Sequence, residues 1–178
     1  YCGFDIMKSL PSYWTYDRFL RQMDNSELKS VMADLVRQLY KLGIVDASFI
    51  GLDSTPIMAN TKQNNPKSFV KDKFSKEAHP KCDPDCALGV HSASTSSYWG
   101  YKSHVLVDCI SGLPLYEQTT PANIMDSTVA VDILAAADQT LSLHGCSFLA
   151  DKGYDAKNIY NTVKSVYGGD AFIPLKKR

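Results

Sequence analysis

Two short apolar runs in this chain each end on an aspartate, and that pairing constrains the fold more than any other feature. The first reads Ser48-Phe49-Ile50-Gly51-Leu52-Asp53-Ser54-Thr55 and the second Ser147-Phe148-Leu149-Ala150-Asp151-Lys152-Gly153. Brief apolar runs bounded by turn residues are the pattern of buried strands. Asp53 and Asp151 therefore stand at expected strand ends. If the strands are neighbours in one sheet, the carboxylates converge despite their separation in sequence. Hard divalent cations such as Mg²⁺ prefer such oxygen ligands, which makes the pair a candidate for half of a phosphoryl-transfer site. An aspartate at a strand end or helix N-cap also needs no chemistry, so spacing by itself leaves both readings open.

Periodicity places the other elements. Leu28, Val31, Met32, Leu35, Val36, Leu39 and Leu42 form one apolar stripe on a helix ended by Gly43. Asp24 and Glu27 resemble its capping box, and a shorter helix around Tyr16 to Met23 precedes it. Because the stripe is apolar, it is expected to pack rather than to read DNA. Tyr98 to Asp108 and Pro114 to Thr120 flank the hairpin signal Ser111-Gly112. Asp126 is expected to cap a helix carrying Val129, Ile133, Ala137 and Leu141 on one face, with His144-Gly145 at its end. After the Asp151 strand come a helix from about Asp155 to Tyr167 and a strand from Ala171 to Leu175.

Three strands, then helix, strand, helix, strand, predict an α/β class with a mixed sheet flanked by helices. A helical segment over 1–46 precedes a core over 47–178. A polar insert at about 60–97 has little periodicity and reads as a surface loop or partly disordered lobe. Its lysines beside Asp53 could meet phosphates, but a solvated loop is the simpler account.

Net charge is zero, yet its distribution is uneven. Residues 53–104 hold seven Lys/Arg against five Asp/Glu, residues 105–151 none against six, and residues 152–178 six against two. Clustered acids suit a metal site and flanking lysines suit phosphates, although Asp132 and Asp138 read as a solvated helix face. No run of about 18 apolar residues spans a membrane and no leader pattern opens the chain, so a cytoplasmic location without membrane contact is expected. Five cysteines, an odd number, favour reduced thiols over a disulfide framework. Cys2, Cys109 and Cys146 read as core or surface thiols. His79, Cys82, Cys86 and His91 together offer four candidate zinc ligands, but their spacing is not a familiar finger pattern and prolines stiffen the loop.

Four ordered motifs carry a family resemblance: Leu52-Asp53-Ser54-Thr55-Pro56-Ile57, Gly100-Tyr101-Lys102-Ser103-His104-Val105-Leu106-Val107-Asp108, Thr120-Pro121-Ala122-Asn123-Ile124-Met125-Asp126-Ser127 and Ala150-Asp151-Lys152-Gly153-Tyr154-Asp155. Over roughly 47–178 the chain resembles the catalytic domain of bacterial insertion-sequence transposases with an Asp-Asp-Glu triad. That resemblance implies a ribonuclease H-like fold and two Mg²⁺ ions held by two aspartates and a later glutamate. It also implies DNA partners, at element ends and target, and a homo-oligomer when intact. Asp53 matches the first aspartate and Asp151 the second. The third has no match, because Glu27, Glu77 and Glu117 all precede Asp151.

The chain therefore reads as cut at both ends and, by itself, as lacking strand transfer. Lys102, His104 and Lys152 are candidate DNA contacts. Lys102 and His104 alternate along one strand, so they share a face. Other readings stay open: a non-catalytic remnant that binds DNA or a transposase subunit, a zinc-stabilised binding module, and a phosphohydrolase of small esters.

Overall fold

A computed structural model describes residues 7, 9–91 and 96–176. Cys2 and the terminal basic residues Lys177 and Arg178 lie outside the described residues. The helices are α1 (Tyr13–Gln22), α2 (Asn25–Lys41), α3 (Asp126–Asp138) and α4 (Lys157–Ser165). The strands are β1 (Phe49–Met58), β2 (Ala87–His91), β3 (Ser96–Asp108), β4 (Pro114–Pro121), β5 (Ser147–Ala150) and β6 (Asp170–Phe172).

All six strands form one mixed sheet in the order β2-β3-β1-β5-β6, with β4 also on β3. β3 runs antiparallel to β1, whereas β5 runs parallel to β1 and β6 parallel to β5. A parallel pair needs a long crossover, and α3 and α4 lie in the two that this sheet contains. This is the expected ribonuclease H-like mixed sheet with flanking helices. The order of strands differs in one respect: β2 arises inside the insert and pairs with Ser96–Gly100, ahead of the stretch of β3 that β4 occupies.

Strand alternation and helix periodicity meet in one core. Ile50 and Leu52 of β1, Leu106 of β3, Leu115 of β4 and Phe148 of β5 pack with Val129, Ala130, Ile133, Leu134 and Ala137 of α3 and with Ile159 and Val163 of α4. The α2 stripe is divided. Val36 is buried and Met32 and Leu39 pack against the core, but Leu28, Val31, Leu35 and Leu42 are exposed, because the row Met32, Val36 and Leu39 faces the sheet and the neighbouring row of the helix surface turns away from it. Asp24 caps α2 by accepting from Ser26 N at 2.9 Å, one residue short of the capping-box position.

Between β1 and β2 the insert holds only turns and one short 3-10 helix, Lys76–Ala78, and side chains tie it to the sheet. Its Asn64 side chain donates to the carbonyls of Ala59 and Trp99, both at 2.7 Å, and accepts from Trp99 N at 2.9 Å. Trp99 Nε1 donates to Lys73 O at 2.7 Å. Ala59, Cys86 and Trp99 form a second small core, with Phe74, Leu88 and Tyr101 against it. Gly100 lets β3 cross here: a Cβ at that position would lie 2.0 Å from Ile57 O. Among the described residues no helix is long and apolar enough to cross a membrane.

Candidate active site

β1 and β5 lie side by side and parallel, with Leu52 opposite Ala150. The next residue along each segment is an aspartate, so Asp53 and Asp151 are neighbours, one strand spacing of about 4.8 Å apart at the backbone. Asp151 directly follows β5, but Asp53 is not at the expected strand end, because β1 runs on to Met58 and Asp53 pairs with Val105 of β3 in its middle. Both are exposed. Ser54 N donates to Asp53 Oδ1 at 2.8 Å and Gly153 N donates to Asp151 Oδ1 at 2.8 Å. A Cβ on residue 153 would stand 2.7 Å from that Oδ1, so glycine is what lets this amide reach the carboxylate. Among the described residues the second oxygen of each aspartate carries no hydrogen bond. The two aspartates share a cavity of about 500 Å³ with Thr55, Val105, Leu149 and Phe172.

Asp53 also borders a second, more polar cavity of about 420 Å³, with Ser54, His91, Tyr98, Lys102 and Asp126. Lys102 points into it, but its ammonium is engaged. Nζ donates to Ile124 O and to Asp126 Oδ1, both at 2.8 Å. Asp126 is therefore the partner of Lys102 rather than the cap of α3; the N-cap is Met125, whose side chain makes no capping bond.

His104 is wholly buried, which corrects its expected role as a DNA contact: its ring has no surface to offer. It shares a hydrogen bond of 2.9 Å between Nε2 and Thr120 Oγ1, and its Nδ1 has no hydrogen-bond partner, with Asp126 Oδ1 4.0 Å away. Burial lowers the affinity of this imidazole for a proton, Asp126 opposes that, and Lys102 reinforces it. Tyr154 is buried nearby with its hydroxyl unpartnered. Burial above all, then the charges of Asp126 and Asp53, push its phenol well above the ordinary range. Lys152 is exposed beside Asp151.

The four candidate zinc ligands do not assemble. His79 spends Nε2 on Cys86 O at 2.9 Å and sets its ring edge-on to Trp99, with centroids 4.8 Å apart. Cys86 is a buried core residue whose thiol is pushed up by burial and then by Asp83, the wrong direction for a thiolate ligand. Cys82 is exposed, and His91 lines the cavity beside Asp53. Among the described residues no three His, Cys, Asp or Glu side chains are placed to hold a metal ion. The sequence reading passed over Asp126 and Tyr154 as functional neighbours of Asp53, although both lie inside motifs already singled out.

The profile of the Transposase DDE domain family matches residues 37–178. The chain belongs to that family. No curated protein matches it in sequence. Among solved structures, the catalytic domain of the Mos1 mariner transposase is similar at 9% identity and a TM-score of 0.41, covering 84% of this chain and 61% of that one. The Drosophila P element transposase strand transfer complex is similar at 13% identity and a TM-score of 0.46, covering 92% and 34%. A piggyBac transposase synaptic complex with hairpin DNA is similar at 9% identity and a TM-score of 0.46, covering 92% and 33%. This transposase-family chain thus spans between a third and about three fifths of the length of these structures.

Proposed function

We propose that this chain carries two catalytic carboxylates of a DNA transposase, with Asp53 and Asp151 as ligands for Mg²⁺ in the cleavage and strand transfer of an insertion sequence. The observation that carries this reading is the parallel register of β1 and β5, which brings the two family-matched aspartates together. The donor set fits the ion: two adjacent carboxylates, all oxygen, each with one oxygen fixed by a backbone amide and the other uncommitted. When bound, the metal would lower the pKa of an attacking water or 3′-hydroxyl and stabilise the leaving oxygen. The protein's own part is to hold Asp53 in the middle of β1 and Asp151 at the end of β5, to leave the shared cavity open to a phosphodiester, and to present the exposed Lys152 ammonium to a phosphate.

Metal titration followed by thermal unfolding tests the assignment. Mg²⁺ at a hundred times its dissociation constant should stabilise the protein by about 2.7 kcal/mol. Asp53→Asn and Asp151→Asn should each remove most of that gain, along with any metal-dependent nicking of plasmid DNA. An equal response in wild type and both variants would overturn the site. A binding role without turnover is the second reading, because no third carboxylate joins the pair among the described residues. Salt-dependent DNA binding without cleavage, unchanged by Asp151→Ala, would establish it.

A further inference from the structure

The insert between β1 and β2 presents an exposed aromatic side chain between two exposed lysines. Phe69 is 96% exposed, more than any other large apolar side chain among the described residues. One exposed apolar residue is ordinary, but the surroundings of this one are not. Residues 62–77 contain Lys62, Lys67, Lys71, Lys73 and Lys76 against Asp72 and Glu77, and both acids lie on the Lys71 to Lys76 side of Phe69. Lys67 and Lys71 flank Phe69 at two residues on either side and are exposed. No ion pair engages any of these lysines among the described residues.

The lobe that carries them is tied to the sheet. Asn64 clamps the insert to the ends of β1 and β3, Trp99 Nε1 holds Lys73 O, and Gln63 Nε2 donates to Ala78 O at 2.7 Å. An exposed flat hydrophobe with an exposed lysine two residues to either side matches a nucleic-acid strand, whose bases stack on aromatic faces while its phosphates meet lysines. A protein partner fits less well, since interface cores are depleted of lysine.

We infer that this lobe is a second DNA contact of the transposase, in which Phe69 stacks on an unpaired or terminal base and Lys67 and Lys71 meet the flanking phosphates. The inference rests on DNA being the substrate. Position supports it: Ala59, where the lobe begins, lies six residues beyond Asp53 along the same strand, about 20 Å at about 3.3 Å per residue. That span corresponds to roughly six nucleotides. The lobe would therefore hold a DNA end at some distance from the phosphate at Asp53 and Asp151.

Fluorescence anisotropy with a labelled single strand of mixed sequence and its matching duplex, over a salt series, tests this on the 178-residue protein. Phe69→Ala should weaken single-strand binding by about 5- to 150-fold and leave the salt slope unchanged, and Phe69→Trp should restore it. Lys67→Ala with Lys71→Ala should lower the magnitude of the log–log salt slope by about 1.4 on the single strand and about 1.8 on the duplex. Wild-type binding that neither variant alters would overturn the lobe contact and leave the DNA reading intact. Failure of the wild type to bind either probe at low salt would overturn both. Phe69-dependent binding to anionic phosphatidylserine vesicles with no effect on DNA would reassign the patch and likewise overturn the inference.

Discussion

Acidification below pH 6.5 should weaken this fold through His104. The side chain is fully buried, its Nε2 is shared with Thr120, and its Nδ1 faces Asp126 at 4.0 Å without a hydrogen bond. Burial and then Lys102 hold its pKa below the ordinary value of 6.5, against the opposing pull of Asp126 and Glu117. The unfolded chain therefore binds the proton before the folded protein does. Stability is fully present above pH 6.5 and is lost as pH falls toward the folded-state pKa, with a slope of at most about 1.4 kcal/mol per pH unit.

If the imidazole stays neutral in the folded protein down to pH 5.5, the loss between pH 7 and 5.5 is about 1.2 kcal/mol. For a chain of this size that is about 2–5 °C in Tm. Urea unfolding of wild type and His104→Gln at several pH values between 5.5 and 8 reads the effect. Glutamine can still bond Thr120 but does not titrate, and subtracting the two curves cancels the other three histidines. A difference between wild type and variant that stays flat with pH would refute the reasoning, because it would mean that Asp126 accepts the charged imidazole at no cost.

Two further outcomes follow from the geometry around Asp53. Gly153→Ala should change stability little, since the added Cβ meets only the end of the flexible Asp151 side chain at 2.7 Å, but it should displace that carboxylate and weaken Mg²⁺-induced stabilisation several-fold; an unchanged metal response would show that the amide contact does not position Asp151. Lys102→Met should cost about 1.5–3 kcal/mol, the scale of a hydrogen bond to a charged group, because it strands Asp126 and Ile124 O in a partly covered site. A double-mutant cycle with Asp126→Asn isolates the pair, and a coupling near zero would mean that solvent already screens it.

Much of the sheet was legible because its strands are bounded by turn residues and its apolar positions alternate. Ile50, Leu52 and Phe148 read as core from composition alone and are core. The hydrogen-bonded order within the insert was not legible, because it does not come from periodicity. Asn64, Gln63 and the Trp99 indole create it through hydrogen bonds to backbone carbonyls, and a polar residue that satisfies a carbonyl looks in sequence like one that faces water. The same blindness applied to Asp126. As the first residue of α3 it looked like a cap, and only the tertiary approach of β3 shows that its carboxylate belongs to Lys102. The cysteine and histidine loop failed for the converse reason: ligand types in proximity along the chain were turned to packing, with Cys86 in the small core and His79 against Trp99.

β1 has two faces, and its register decides which residues meet the chemistry. Thr55 lines only the cavity shared with Asp151, Ser54 and Pro56 line only the cavity of Lys102 and Asp126, and Asp53 borders both. Because side chains alternate, a slip of one residue would exchange the faces. It would remove Asp53 from Asp151 and bury an acid beside Asp126 and His104. Nothing local to the aspartates prevents this, since Ser54 N and Gly153 N would follow their own carboxylates. The restraint comes from Ile50 and Leu52, buried to 0% and 2%, which the same slip would expose. At about 1.5–3 kcal/mol for each such side chain, their burial opposes the slip by several kcal/mol. The acid pair is thus held in place by the apolar residues just before it on β1, the run that made Asp53 conspicuous in the sequence.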